Sequence, residues 1–144
     1  MNMRRTISAI LVGICALVSV NAQTQTLFPV TSPDGSVSLS LKLKEKSLYY
    51  EVEKNGVNVL DEAPIRFTID GSELCNSVEI LSSDSYKTDN TYPIRGSHSL
   101  AVDKSNGRTF KLQNTILKIN FTIEARVYND GVAFRIILPG KQGE

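Results

Sequence analysis

The chain has 144 residues, of which 41% are hydrophobic and 22% are charged. This balance indicates one globular domain and excludes an intrinsically disordered chain. Sixteen Lys and Arg stand against 15 Asp and Glu, so nothing in the charge favours nucleic acid or an anionic membrane surface as a partner.

The N-terminus has the pattern of a secretory signal peptide. Arg4 and Arg5 precede an apolar stretch over residues 7–20, and a small residue, Ala22, stands at the −1 position of a cleavage site. The stretch is shorter than the roughly 20 residues that a membrane-spanning helix needs. We therefore expect residues 1–22 to be removed and residues 23–144 to be exported, as a periplasmic or secreted protein without a membrane span.

The first half of the exported part predicts antiparallel strands. A turn sequence, Ser32-Pro33-Asp34-Gly35, precedes a strict alternation of apolar and polar residues over 36–44. Residues 48–52 continue the pattern, and Asn55-Gly56 predicts a two-residue hairpin turn with positive φ at both positions. Residues 57–64 form the return strand, which ends at a proline.

Shorter elements are predicted next. Residues 65–69 alternate as a strand that Asp70-Gly71 closes, and Val78 and Ile80 indicate one short strand. Cys75 has no cysteine partner in residues 23–144, so no disulfide within the exported chain is expected, and a buried apolar position is its predicted role.

Residues 82–99 lose the periodicity and are predicted to form a long loop. Tyr86, Tyr92 and Arg95 lie in it. They either contact a sugar, by stacking and hydrogen bonding, or fold back onto the sheet from a surface connection.

The last third predicts a long two-stranded ribbon. Apolar residues alternate without a break over 117–127, and Asn129-Asp130-Gly131 then forms a turn in which Asn tolerates positive φ. Residues 132–138 return antiparallel. An apolar face of this length needs a second sheet to cover it, and we expect that cover to come from polypeptide beyond residue 144. The predicted fold is all-β, an antiparallel β-sandwich that continues past the chain.

The sequence contains no familiar catalytic motif. A glycosidase needs two carboxylates that flank one bond, and nothing in the sequence brings a pair of acidic residues together. His98 is the only histidine, so a metal site built on it would lack partners. We expect no catalytic residue and no metal ligand in this chain.

Two segments resemble the N-terminal domain of glycoside hydrolase family 97: the opening turn at residues 32–35 with the strand after it, and Arg126-Val127-Tyr128-Asn129-Asp130-Gly131-Val132-Ala133-Phe134-Arg135. Members of that family are secreted α-glucosidases and α-galactosidases with a β-super-sandwich, a catalytic (β/α)8 barrel and a small C-terminal β-domain. The resemblance implies that this chain is the first part of the super-sandwich. Asn129 departs from the pattern, because the family more often has an acidic residue there.

The resemblance also implies where the chemistry lies. The family's catalytic carboxylates and most of its calcium ligands belong to the barrel, so calcium is expected in a full-length parent and no cofactor in this chain. The implied partners are the barrel of the same polypeptide and an α-linked oligosaccharide.

Arg126, Tyr128 and Arg135 are the candidate site residues of the matched segment, together with Tyr92 and Arg95 from the predicted loop. Arg126, Tyr128 and Arg135 either hold the barrel interface or the rim of a carbohydrate cleft, or pair across strands. The alternative function is a free-standing secreted β-sandwich that binds carbohydrate or acts as an adhesin. The absence of Trp weighs against it.

Overall fold

The computed structural model describes residues 25–95 and 99–140, with side chains from Pro29 onward. These residues form ten β-strands and no helix, so the part of the chain described here has no helix that could cross a membrane. The strands are β1 (Gln25–Thr31), β2 (Val37–Lys44), β3 (Ser47–Lys54), β4 (Val57–Pro64), β5 (Thr68–Ile69), β6 (Ser72–Glu73), β7 (Val78–Pro93), β8 (Leu100–Asn114), β9 (Ile119–Val127) and β10 (Val132–Ile137). The predicted signal peptide and His98 lie outside the described residues.

The strands form two antiparallel four-stranded sheets and one small hairpin. The first sheet has the order β1-β2-β3-β4, the second has the order β10-β9-β8-β7, and β5 pairs with β6. Strands β1 and β2 of the first sheet contact β8, β9 and β10 of the second. The predicted all-β, antiparallel sandwich is therefore confirmed.

The core lies between the sheets and follows the predicted alternation. Leu39 and Leu41 of β2 are fully buried, and Ile123 and Ala125 of β9 face them from the second sheet with no exposure. The Asn55-Gly56 turn has φ values of 52° and 76°, as the two-residue hairpin requires. Cys75 is a buried free cysteine, as predicted.

Three predicted boundaries are wrong. Residues 65–67 are not a strand: Pro64 ends the β4 ladder, and the Ile65 amide donates instead to the Leu48 carbonyl at 2.9 Å. Strand β9 begins at Ile119 because residues 115–118 form a turn in which Lys118 has a φ of 57°. Strand β10 ends at Ile137.

The predicted loop at residues 82–99 and the predicted short strand at residues 78–80 are both wrong, because Val78–Pro93 is one 16-residue strand. It pairs with β8 along its whole length. Period-2 hydrophobicity requires one buried face, and most of β7 has neither face buried, so its sequence carries no alternation. Backbone hydrogen bonds, not burial, hold this strand.

The expected external cover of the long ribbon is also corrected. The inner face of β9 is already buried by β1 and β2 of the same chain, with Phe121 2% exposed and Val127 fully buried. Strand β10 is less covered, and Phe134 remains 37% exposed.

Candidate functional site

The outer face of the second sheet brings polar side chains together through strand register. Glu124 on β9 pairs with Arg135 on β10, and Arg126 pairs with Gly107 on β8. Tyr86 on β7 pairs with Gly107 from the other side. Because opposite residues of antiparallel strands point to the same face, these residues form one patch. We call Tyr86, Glu124, Arg126 and Arg135 the Glu124 cluster.

Glu124 is the centre of this cluster. Arg135 donates from Nε to Glu124 Oε2 at 2.6 Å, and its Nη2 forms an ion pair with the same oxygen at 2.5 Å. Arg126 donates from Nε and Nη2 to Oε1, both at 3.2 Å, and the Tyr86 hydroxyl donates to the same oxygen. Neighbouring side chains therefore pair with both carboxylate oxygens of Glu124, and the residue is only 8% exposed.

Tyr86 can reach the cluster because glycine at position 107 has no side chain. A Cβ added at Gly107 would lie 2.2 Å from Cζ of the Tyr86 ring, so the ring lies directly across the glycine backbone. Tyr86 therefore crosses β8 from β7 and meets Glu124 on β9. The Arg126 guanidinium carbon lies 5.7 Å from the centre of the same ring, within cation–π range.

Hydrogen bonds and burial shift the pKa of Glu124, Tyr86 and Arg126. The hydrogen bond from Tyr86, followed by those from Arg135 and Arg126, lowers the pKa of Glu124 despite burial. Burial and the hydrogen bond to Glu124 raise the pKa of Tyr86. Hydrogen bonds with Tyr128 and Tyr86 raise the pKa of Arg126. At neutral pH Glu124 is thus an ionised carboxylate, Tyr86 a neutral phenol and Arg126 a guanidinium ion.

A cavity of about 250 Å³ opens beside this cluster, lined by Glu124, Arg126, Ala133, Phe134 and Arg135. The Phe134 ring packs edge-on against Tyr50 of the first sheet at a centroid distance of 5.2 Å. The Phe134 ring lies on the inner face with Ala125, so the walls offer mainly guanidinium donors, which suit hydroxyl groups or another polar surface. Glu124 is the carboxylate among the described residues that line the cavity, and because it is fully paired it is not free for proton transfer.

The structure unites some of the predicted residues and separates others. Arg126 and Arg135 both bind Glu124, and a side-chain hydrogen bond with Tyr128 raises the pKa of Arg126. Tyr92 is six residues from Tyr86 along β7, about 20 Å away, and Arg95 lies just beyond the end of that strand. Tyr92 and Arg95 therefore do not belong to the Glu124 cluster.

Sequence reasoning missed Glu124 and Gly107 as members of this site. Glu124 was one of several scattered acidic residues, yet the predicted hairpin between β9 and β10 already fixes its register opposite Arg135. The role of Gly107 depends on the pairing of β7 with β8, and that pairing has no pattern in the sequence.

The predicted turn Asn129-Asp130-Gly131 is present, with the Tyr128 amide donating to the Gly131 carbonyl at 2.8 Å. None of its three residues has a φ in the left-handed region, so the turn does not use the tolerance of Asn for positive φ. The Asn129 side chain has another role, because its Oδ1 accepts a hydrogen bond from the Asp34 amide at 3.2 Å. The two segments that carry the family resemblance therefore contact each other.

The opening turn is held by its own side chains. Asp34 Oδ1 accepts hydrogen bonds from the Ser32 hydroxyl at 2.6 Å and from the Ser36 amide and hydroxyl at 2.9 and 2.8 Å. These bonds lower the pKa of Asp34. Within residues 25–95 and 99–140, no three His, Cys, Asp or Glu side chains come together as metal ligands. The described residues thus do not fit the calcium site that the resemblance implies for a full-length parent.

Comparison with known proteins settles the family. The model of the family described as "Glycosyl-hydrolase 97 N-terminal" matches residues 30–144. The chain belongs to this family. A retaining alpha-galactosidase of Bacteroides thetaiotaomicron is 29% identical over 131 residues, which are 90% of this chain and 19% of that protein.

Solved structures show the same fold. A glycoside hydrolase family 97 enzyme of Pseudoalteromonas sp. strain K8, determined with panose, aligns with a TM-score of 0.72 and 19% identity over 81% of this chain and 18% of its own. A beta-arabinopyranosidase aligns with the same TM-score and 24% identity, over 81% of this chain and 19% of its own. The family 97 domain described here thus spans about a fifth of the length of the relatives it matches.

Proposed function

We propose that this chain is the non-catalytic N-terminal β-sandwich domain of a secreted family 97 α-galactosidase or α-glucosidase. In that protein it packs on the catalytic barrel and helps to shape the carbohydrate site. The observation that carries the proposal is the family match over residues 30–144, together with a curated relative that is a retaining alpha-galactosidase.

The chemistry of the cavity supports a role without catalysis. A glycosidase needs a carboxylic acid with a raised pKa and a second carboxylate across the scissile bond. Glu124 has a lowered pKa and is held by Arg126 and Arg135, and it is the only carboxylate among the described residues that line the cavity. Such a group serves as a fixed charge, not as a general acid. Catalytic carboxylates and calcium are accordingly assigned to the rest of the parent polypeptide.

Activity measurements test the assignment. The full-length polypeptide is expected to hydrolyse an aryl α-galactoside or α-glucoside in a calcium-dependent manner, and the 144-residue chain is expected to leave both intact. Hydrolysis by the short chain would contradict its non-catalytic role. A full-length protein that cleaves neither sugar would contradict the α-glycosidase assignment.

The contribution of the cavity to the carbohydrate site is tested at Arg135, whose side chain is 68% exposed although it pairs with Glu124. In the full-length enzyme, Arg135→Ala is expected to raise KM about tenfold with little change in kcat, because it removes binding that is equal in the ground state and the transition state. Arg66→Ala, at an exposed arginine after β4, is the matched control. Equal kinetics for both variants would leave Arg135 with cross-strand pairing alone.

A further inference from the structure

Two Asn-Gly dipeptides occur in the chain, and the fold places them in opposite surroundings. Asn55-Gly56 forms the two-residue turn between β3 and β4, whereas Asn106-Gly107 lies within β8. An asparagine that precedes glycine is prone to lose its side-chain amide, because the glycine nitrogen has no neighbouring Cβ to obstruct its attack on the asparagine. The chain therefore contains the same reactive dipeptide in a turn and in a sheet.

The turn leaves Asn55-Gly56 open to this reaction. Both residues are exposed, and a Cβ built at Gly56 would meet no atom within 4 Å. They lie outside the β3–β4 ladder, which closes with the pair formed by Lys54 and Val57. Strand β4 is at the edge of the first sheet, and all but one of its eight residues are exposed, so few contacts oppose local opening. Rotation of the Asn55 backbone towards the Gly56 nitrogen thus requires only this turn to open.

The sheet holds Asn106-Gly107 in place. Nδ2 of Asn106 donates a hydrogen bond to the Thr31 carbonyl at 2.8 Å. Gly107 is buried and pairs with Tyr86 of β7 on one side and with Arg126 of β9 on the other. A residue between two antiparallel strands donates its N–H to one of them, so the Gly107 nitrogen is engaged in the sheet. Attack at this site would require three paired strands to open.

We propose that Asn55 is a site of spontaneous deamidation and isoaspartate formation in the folded protein, and that Asn106 is not. The Gly56 nitrogen loses its proton to water or hydroxide and attacks Cγ of Asn55. The new C–N bond closes a succinimide ring, and the side-chain nitrogen leaves as ammonia. Water then opens the ring at either of its carbonyl carbons. The net reaction consumes one water and releases one ammonia, with no oxidant or cofactor.

The two products differ in the turn that they form. Ring opening at Cγ gives aspartate, which tolerates the φ of 52° at position 55 and keeps the turn. Ring opening at the main-chain carbonyl gives isoaspartate, in which the backbone runs through the former side chain and is longer by one carbon. Because the length of a hairpin turn sets the register of its strands, isoaspartate perturbs the β3–β4 pairing. The reaction does not depend on the proposed function.

Peptide mapping by mass spectrometry of the full chain, incubated at pH 8, tests the site. The Asn55 peptide is expected to gain the mass of an NH2-to-OH exchange at least about tenfold faster than the Asn106 peptide, because only the latter is held by the sheet. In urea the two peptides are expected to react at similar rates. An unmodified Asn55, or equal rates at the two sites without urea, would overturn the inference.

A substitution separates the attacking nitrogen from the stability of the turn. Gly56→Ala is expected to slow conversion of Asn55 about tenfold, because the added Cβ hinders the attack. Gly71→Ala is the matched control, since Gly71 has a similar φ of 79° in the β5–β6 turn and also has open space around it. This control is expected to leave the rate at Asn55 unchanged, and equal rates in both variants would contradict attack by the Gly56 nitrogen.

The products identify the route. A protease that cleaves before aspartate and not before isoaspartate separates the two forms of the Asn55 peptide. Both forms are expected, because the succinimide opens at either carbonyl carbon. Aspartate alone would indicate direct hydrolysis of the side-chain amide and would refute the ring-closing step.

Discussion

Gly107→Ala offers a sharp test of the Glu124 cluster, because the structure predicts that its effect changes sign with the identity of residue 86. The backbone of Gly107 is not in the left-handed region, so alanine fits it without strain. Replacing glycine by alanine within a strand normally stabilises a protein by about 0.5–1 kcal/mol. Here, however, the new Cβ would lie 2.2 Å from Cζ of Tyr86, so the ring must leave its position.

The cost follows from what the ring loses. Tyr86 would give up its hydrogen bond to the ionised Glu124, worth about 1.5–3 kcal/mol for a charged acceptor, and its contact with Arg126. After the intrinsic gain is subtracted, Gly107→Ala should destabilise the domain by about 1–2 kcal/mol. In a Tyr86→Ala background no ring is displaced, and the same substitution should stabilise by about 0.5–1 kcal/mol.

Urea unfolding of the four proteins in this double-mutant cycle measures the difference. With a denaturant slope of about 1–3 kcal/mol/M, a destabilisation of about 1–2 kcal/mol lowers the urea midpoint by about 0.3–2 M. A coupling energy of about 2 kcal/mol between residues 86 and 107 is expected. If Gly107→Ala has the same sign and size in both backgrounds, the ring does not depend on the glycine and the reasoning is refuted.

Three further predictions concern titration, burial and backbone conformation. The pKa of Glu124 is lowered in the folded protein, so its stabilising contribution is present above pH 4.5 and is lost as the pH falls through the folded pKa. Glu124→Gln should therefore make the free energy of unfolding, measured from pH 7 to pH 3, depend less on pH. Burial raises the pKa of Cys75 to about 11, so an alkylating reagent at pH 8 should label it only as fast as the domain opens, and rapid labelling without denaturant would contradict its burial. Gly56→Ala, at a φ of 76°, should cost about 1–2 kcal/mol, whereas Gly131→Ala, outside the left-handed region with open space around it, should be nearly neutral by thermal unfolding.

Sequence reasoning located the elements that have one buried face. Strand β2 and the residues of β9 from Phe121 to Val127 follow the period of two because the sandwich buries every second side chain. Strand β7 escaped prediction because ladder hydrogen bonds form regardless of side-chain type, and its exposed faces leave no apolar pattern. The residues of the Glu124 cluster also differ in how far the sequence predicts them. Arg126 and Arg135 were found within the matched segment, whereas Tyr86 joins them only through the β7–β8 register.

The inner face of β9 is covered differently from the prediction made from the sequence. The sequence predicted that polypeptide beyond residue 144 covers the ribbon from Leu117 to Leu138. Strands β1 and β2 already bury the inner face of β9. The family assignment is unaffected, because it rests on the match over residues 30–144 and not on the presence of an uncovered strand. The exposed apolar side chains of the second sheet lie elsewhere among the described residues, with Leu100 and Val102 58% and 66% exposed on the β7–β8 hairpin. Tyr86 of the same hairpin contacts Glu124 and Arg126 of β9, so side chains of β7 and β9 meet across β8 on the outer face of the second sheet.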